Sequence, residues 1–154
     1  MNLRREKPTE IYNLIYVIGS LRNPKVPIIA SNIRSLGIEA FDDWYAAGPE
    51  ADDKWQEYEM GRKNSYRAAL DGWHAHHVFS FDYIHLDRAD VGLLVLPAGK
   101  SGHLELGYII GRGKRGLILL DKEPERYDIM YNFAQEIFLS EQDLLAYLQK
   151  EYCH

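Results

Sequence analysis

Two carboxylates stand out by their setting. Glu105 follows the glycine-bearing turn Pro97-Ala98-Gly99-Lys100-Ser101-Gly102, and Asp82 lies 23 residues before it. Between them runs Val91-Gly92-Leu93-Leu94-Val95-Leu96, a short aliphatic stretch without alternation. That is the pattern of a strand buried on both faces. Beyond the turn, Leu104, Leu106, Tyr108, Ile109 and Ile110 recur with helical spacing. The pattern predicts strand, turn and helix, with Glu105 in the first helical turn, just past the strand's carboxyl end. Open α/β sheets bind ligands there. A first-turn glutamate also interacts favourably with the helix dipole, so position alone assigns no role. Paired with Asp82 beside one crevice, it suits glycosidic chemistry. One carboxylate attacks an anomeric carbon or stabilises a cationic transition state while the other moves protons.

Other motifs carry less. Gly99-Lys100-Ser101 suggests a phosphate loop, but that motif needs a glycine where Leu94 stands. Gly19 is followed by Leu21 and Asn23, which breaks the dinucleotide fingerprint. Of His74, His76 and His77, only the first and last share a helical face, with no carboxylate or cysteine at ligand spacing. They read as a solvated helix end. His103 precedes Glu105 in the wrong order for a zinc-protease motif. Neither a metal nor a cofactor is expected.

The elements that must position these residues follow from patterning. Asn13 to Ile18 reads as the first strand, with Gly19-Ser20-Leu21-Arg22-Asn23 as its exit turn. Pro24 opens a helix bearing Val26, Ile29, Ile33 and Leu36 on one face, and Gly37 stops it. A short strand spans 38–41, and 42–52 is an acidic loop with Trp44 and Tyr45. One helix is expected over 54–70, a break over 72–80, and a short helix over 82–88. Strand three is 91–96, and its helix is 102–112. Gly113 to Gly116 turns into a fourth strand, 117–120. A short helix near 128–134 precedes a fifth strand over 136–139. The last helix starts at Ser140, with Asp143 completing a capping pattern, and ends near Tyr152. Strands alternating with helices predict a flavodoxin-like, doubly wound α/β fold. Its five-stranded parallel sheet would run in the order 2-1-3-4-5, with helices on both faces. The crevice then lies between the turns Gly19–Asn23 and Pro97–Gly102.

At 154 residues one domain is expected, with residues 1–10 frayed. A net charge of −5 gives no support for a nucleic-acid partner. No segment reads as a membrane span or signal, and Cys153 alone can make no internal disulfide, so a cytoplasmic location is the default. Eleven tyrosines, three tryptophans and five phenylalanines suit a packed core, and also stacking on a nucleobase.

Tyr16-Val-Ile-Gly19-Ser-Leu-Arg22, Asp82 with Ala89-Asp90, and Ser101-Gly-His-Leu-Glu105-Leu-Gly107-Tyr108 resemble the nucleoside 2-deoxyribosyltransferase family. That family includes deoxynucleoside 5′-monophosphate N-glycosidases. The resemblance covers roughly residues 13 to 135. It implies Glu105 as the nucleophile that forms a deoxyribosyl-enzyme intermediate, with Asp82 protonating the departing base. Tyr16 would orient the Glu105 carboxylate. Ser20 and Arg22 would approach the sugar's 5′ end, with Gly19, Gly99, Ser101 and Gly102 among the substrate-binding residues. Read from its residues, the 42–52 loop suits a lid with Trp44 or Tyr45 stacking on the base, or an aromatic packed back on the domain. Small-molecule deoxynucleosides or deoxynucleotides and a nucleobase are the implied partners.

Two departures matter. Gly99 stands six residues before Glu105, where transferases of the family often have aspartate and monophosphate hydrolases a phosphate-binding serine. Asp128-Ile-Met130 aligns with a segment that reaches a neighbouring subunit's site, with Asn132 just beyond. Arg22 favours a 5′-phosphate, while Asp128 would repel one and accept from a 5′-hydroxyl. If Asp128 completes a neighbour's site, the working unit is at least a homodimer. Transfer, hydrolysis by water, and nucleotide sensing without turnover all stay open at this point.

Overall fold

A computed structural model describes residues 14–153; the expected frayed segment 1–10 and Asn13 lie outside the described residues. The strands are β1 (Leu14–Ile18), β2 (Glu39–Phe41), β3 (Val91–Val95), β4 (Arg115–Leu119) and β5 (Glu136–Phe138). They form one all-parallel sheet in the order β2-β1-β3-β4-β5, as the sequence predicts. Every residue of β1 and β3 is buried, because helices cover both faces.

Alternation along the strands divides the core. Ile15, Val17, Leu93, Val95, Leu117 and Leu119 pack against α1 (Lys25–Ser35) and α6 (Glu141–Tyr152). Tyr16, Ile18, Leu94 and Ile118 face the other way, toward α4 (Trp73–Arg88) and α5 (Lys100–Gly111). Ser140 caps α6 by accepting from the Asp143 N–H at 3.1 Å. α5 lies close on the sheet because small residues let it. A Cβ at Gly92 would stand 2.7 Å from Ile109 Cδ1, and one at Gly102 would stand 3.1 Å from a Leu94 methyl.

Between β2 and β3 the chain departs from the expected pattern. The 42–52 loop holds a 3-10 helix, Asp43–Ala47, and the start of α2 (Ala51–Gly61). The single helix expected over 54–70 is two. α2 ends at Gly61, Lys63 takes a left-handed conformation with φ 63°, and Ser65 caps α3 (Tyr66–Leu70) by accepting from Ala68 N–H. Glu59, the one buried side chain of α2, closes this turn by accepting from Asn64 Nδ2 at 2.7 Å.

The break expected over 72–80 does not occur: α4 runs unbroken for 16 residues from Trp73, with Gly72 at its N-cap. His, Trp, Val, Phe and Ser are weak helix formers, and α4 buries only Leu86, so neither propensity nor periodicity announces it. The expected strand 117–120 begins two residues earlier, at Arg115.

Candidate active site

β1 and β3 are neighbours, and the chain leaves them in opposite directions along the sheet, toward α1 and α5. Their carboxyl ends make the switch-point crevice. Three chemically suited side chains converge here from three elements: Tyr16 from β1, Asp82 from α4 and Glu105 from α5.

Tyr16 is fully buried and packs against Phe41, ring centroids 5.1 Å apart. Its hydroxyl has no hydrogen-bond partner among the described residues. A buried unpaired hydroxyl is costly, and such atoms in native proteins call for an explanation. Burial raises the Tyr16 pKa far above its ordinary value, and the charges of Glu105 and then Asp82 raise it further. The hydroxyl therefore stays protonated as a donor, within electrostatic reach of both carboxyls.

Glu105 lies one turn deeper in its helix than the sequence predicts. Gly99 is the N-cap and α5 begins at Lys100, so Glu105 lies in the second helical turn and no acidic residue occupies the first. The dipole effect falls away beyond the first turn, which removes the simplest structural reason for a glutamate here. Burial pushes its carboxyl up to about 8, helped by the nearby Asp82 charge. Burial pushes Asp82 up to about 6. The two repel one another's charge and titrate as a pair, holding one proton across the neutral range. Two carboxyls tuned apart in this way can hold one proton and one charge side by side.

The other expected site residues occupy several places. Gly19 and Ser20 form the exit turn of β1, where the Ser20 hydroxyl accepts from Arg22 N–H at 3.0 Å. The Arg22 guanidinium is exposed and pairs with Asp53 on α2 at 2.9 Å. Gly99 and Ser101 lie at the exposed N-terminal end of α5, whereas Gly102 is buried against Leu94 and Ile18. Trp44 stands beside Gly19, its indole N–H donating to the Val17 carbonyl at 2.8 Å. The ring is thus fixed to the sheet, not held on a free loop. Asp128 caps the 3-10 turn Ile129–Phe133 by accepting from Met130 N–H, and Asn132 is exposed on that turn. His74, His76 and His77 are exposed on α4. Among the described residues no three His, Cys, Asp or Glu side chains gather as a metal site, and no helix is long and apolar enough to cross a membrane.

Two features escape sequence reading. Asn23, in the β1 exit turn, is buried with its Nδ2 unpaired among the described residues, although its Oδ1 accepts from Lys25 N–H. His103 bridges the Gly99 carbonyl (Nδ1, 2.7 Å) and the Tyr131 hydroxyl (Nε2, 2.8 Å), tying the α5 N-terminus to the 129–133 turn. The carbonyl can only accept, so Nδ1 carries a proton. Neither contact has a local pattern that announces it.

No protein-family model matches this chain, and neither does the sequence of any curated protein. Solved structures do match. The CMP N-glycosidase of Clostridium botulinum superposes with a TM-score of 0.54 at 14% identity, covering 88% of this chain and 98% of that one. The 2-deoxyribosyltransferase of Bacillus psychrosaccharolyticus superposes with a TM-score of 0.57 at 18% identity, covering 86% and 90%. This chain has their fold. Nearly the whole length of each enzyme is spanned by the likeness.

Proposed function

We propose that this chain is an enzyme of the nucleoside 2-deoxyribosyltransferase family. It would cleave the N-glycosidic bond of 2′-deoxynucleosides or their 5′-monophosphates and pass the deoxyribosyl group to another base. The observation that carries the proposal is the convergence of Glu105, Asp82 and the unpartnered Tyr16 hydroxyl in one crevice. The two solved structures that match are an N-glycosidase and a deoxyribosyltransferase, and this chain has the fold common to both.

The steps follow from the pair sharing one proton. In the free site the shared proton rests on Glu105, at about 8 against about 6 for Asp82. A hydrogen bond from the Tyr16 hydroxyl, made as substrate seats, would favour the ionised Glu105 carboxylate and move the proton to Asp82. Glu105 attacks C1′ as the C1′–N bond breaks, and Asp82 delivers its proton to the departing base. The resulting ester is a deoxyribosyl-enzyme. An incoming base gives its proton to Asp82 and attacks C1′, which frees Glu105. The exposed apolar side chains Ile129, Met130 and Phe133 beside Asp128 and Asn132 support the reading that this turn meets a second copy.

The test is chromatographic. Deoxynucleosides and deoxynucleoside monophosphates are incubated with the protein, with and without a second free base. A new nucleoside formed only with acceptor supports transfer. Base released without acceptor supports the alternative, hydrolysis, which the fold shared with a CMP N-glycosidase also favours. Absence of both products, with Glu105→Ala binding nucleotides as tightly as the parent, would establish a sensor instead.

A further inference from the structure

The two helices that carry the carboxylates are held very differently. α5 buries Gly102, Leu106 and Ile109 and lies close on the sheet, so Glu105 is fixed by packing. α4 buries Leu86 alone, with Phe79, Tyr83 and Ile84 exposed. Packing leaves Asp82 the less constrained of the pair.

Midway along α4, Phe81 packs on Phe41 at 5.8 Å, and polar ties hold its C-terminal end. The Tyr108 hydroxyl donates to Asp87 Oδ1 at 2.9 Å and accepts from Arg112 Nη1 at 2.9 Å. Arg112 also faces the same Asp87 oxygen at 3.4 Å, and Lys114 Nζ donates to the Asp87 carbonyl. Tyr83 sets its edge against the Tyr108 ring, centroids 5.5 Å apart. On the opposite flank His85 stacks on Phe41 at 4.0 Å, and Arg88 faces Glu39. Tyr108 lies three residues after Glu105, and Asp87 five after Asp82. The tie therefore joins the same two helices within a turn or two of the two carboxyls.

We propose that Tyr108 is a positioning residue: by holding Asp87 it sets how α4 lies on α5, and so the separation of Asp82 from Glu105. The inference rests on the glycosidic reading of that pair. Tyr108 touches neither reacting carboxyl and acts through the helix. A purely stabilising role predicts something else, because exposed ion pairs and their hydrogen bonds add little to stability. A positional role predicts a loss of turnover much larger than any loss of stability, since small misplacements of reacting groups are expensive.

The experiment compares the parent with Tyr108→Phe, Asp87→Asn and their combination. It reads kcat, KM, thermal midpoint, and the carboxyl titrations of Asp82 and Glu105 by carbon NMR. Tyr108→Phe is expected to lower kcat by about tenfold while KM changes less than about twofold and the midpoint barely moves. The Glu105 titration should fall as the Asp82 charge draws away. The double variant should be no worse than the worse single variant, because both cut one tie. Arg112→Gln, which leaves the Tyr108–Asp87 bond in place, should retain most of the activity and serves if Tyr108→Phe folds poorly. Parental kcat and unshifted carboxyl titrations in Tyr108→Phe would overturn the proposal. Should the parent show no glycosidic activity, the titrations still decide the matter: a shift establishes the positioning role while the functional reading fails.

Discussion

The buried hydroxyl of Tyr16 has no partner among the described residues, and Glu105 is the charge that acts on it most strongly. A donor kept waiting beside a carboxyl that must ionise is an arrangement for function, bought at the expense of stability. Replacing Tyr16 with Phe should therefore separate the two properties. Turnover is expected to fall by about 10- to 100-fold, as for loss of one preorganised donor. Stability should hold or rise by about 1 kcal/mol, because an unsatisfied polar atom is removed. Steady-state kinetics beside a denaturant titration checks both.

The shared proton of Asp82 and Glu105 predicts a bell-shaped pH–rate profile. Its limbs should fall near the raised values of the free site, about 6 and about 8, and they belong to the pair jointly. Activity should decline below the first value as the pair gains a second proton and above the second as it loses its last. A profile flat from pH 5 to 9 would remove this pair from the mechanism.

The same shifts fix the sign of a stability effect. Both folded-state values lie above the ordinary carboxyl range, so the folded protein holds protons that the unfolded chain has released. Stability from these groups is present at acid pH and is lost as pH rises, through about 6 for Asp82 and about 8 for Glu105. Glu105→Gln should raise stability at pH 8 by on the order of 2 kcal/mol, with the gain vanishing toward pH 4. Thermal unfolding across that range provides the measurement.

The Arg22–Asp53 pair, at 2.9 Å and exposed, makes a prediction about substrate choice. If Arg22 serves a 5′-phosphate, Asp53 competes with the ligand for the guanidinium. Asp53→Asn should lower KM for monophosphates by about twofold to fivefold and leave nucleosides unchanged, in keeping with the small strength of exposed pairs. Arg22→Ala should raise KM for monophosphates only. Equal effects on both substrate classes would take Arg22 out of phosphate recognition.

How much of this was legible in the sequence depends on where each signal resides. The sheet and its order were legible because unbroken aliphatic runs such as Val91–Val95 and turns such as Gly19–Asn23 mark parallel strands locally. The placement of Glu105 just past β3 follows from that order, whereas Asp82 rides on a helix the sequence misreads. The helices between β2 and β3 were not legible. α4 has no buried stripe to produce a period, and the Gly61–Ser65 turn depends on the Glu59–Asn64 contact. The start of α5 was misplaced by two residues because Lys100 and Ser101 read as part of the glycine-bearing turn, whereas Gly99 is the N-cap and the helix begins at Lys100. Pairings such as Tyr108 with Asp87 join distant segments and leave no local trace.

The position of Glu105 one turn inside α5, among groups that resist charge, bears on what the crevice would hold tightly. A neutral deoxyribose ring finds two carboxyls that are costly to ionise and gains little from them. When the bond to the base stretches and the ring turns positive, the same carboxyls become its natural counter-ions. On the glycosidic reading the crevice thus withholds its affinity from the resting sugar and spends it on the fleeting cation. Cationic ring mimics should accordingly bind better than the nucleosides they imitate.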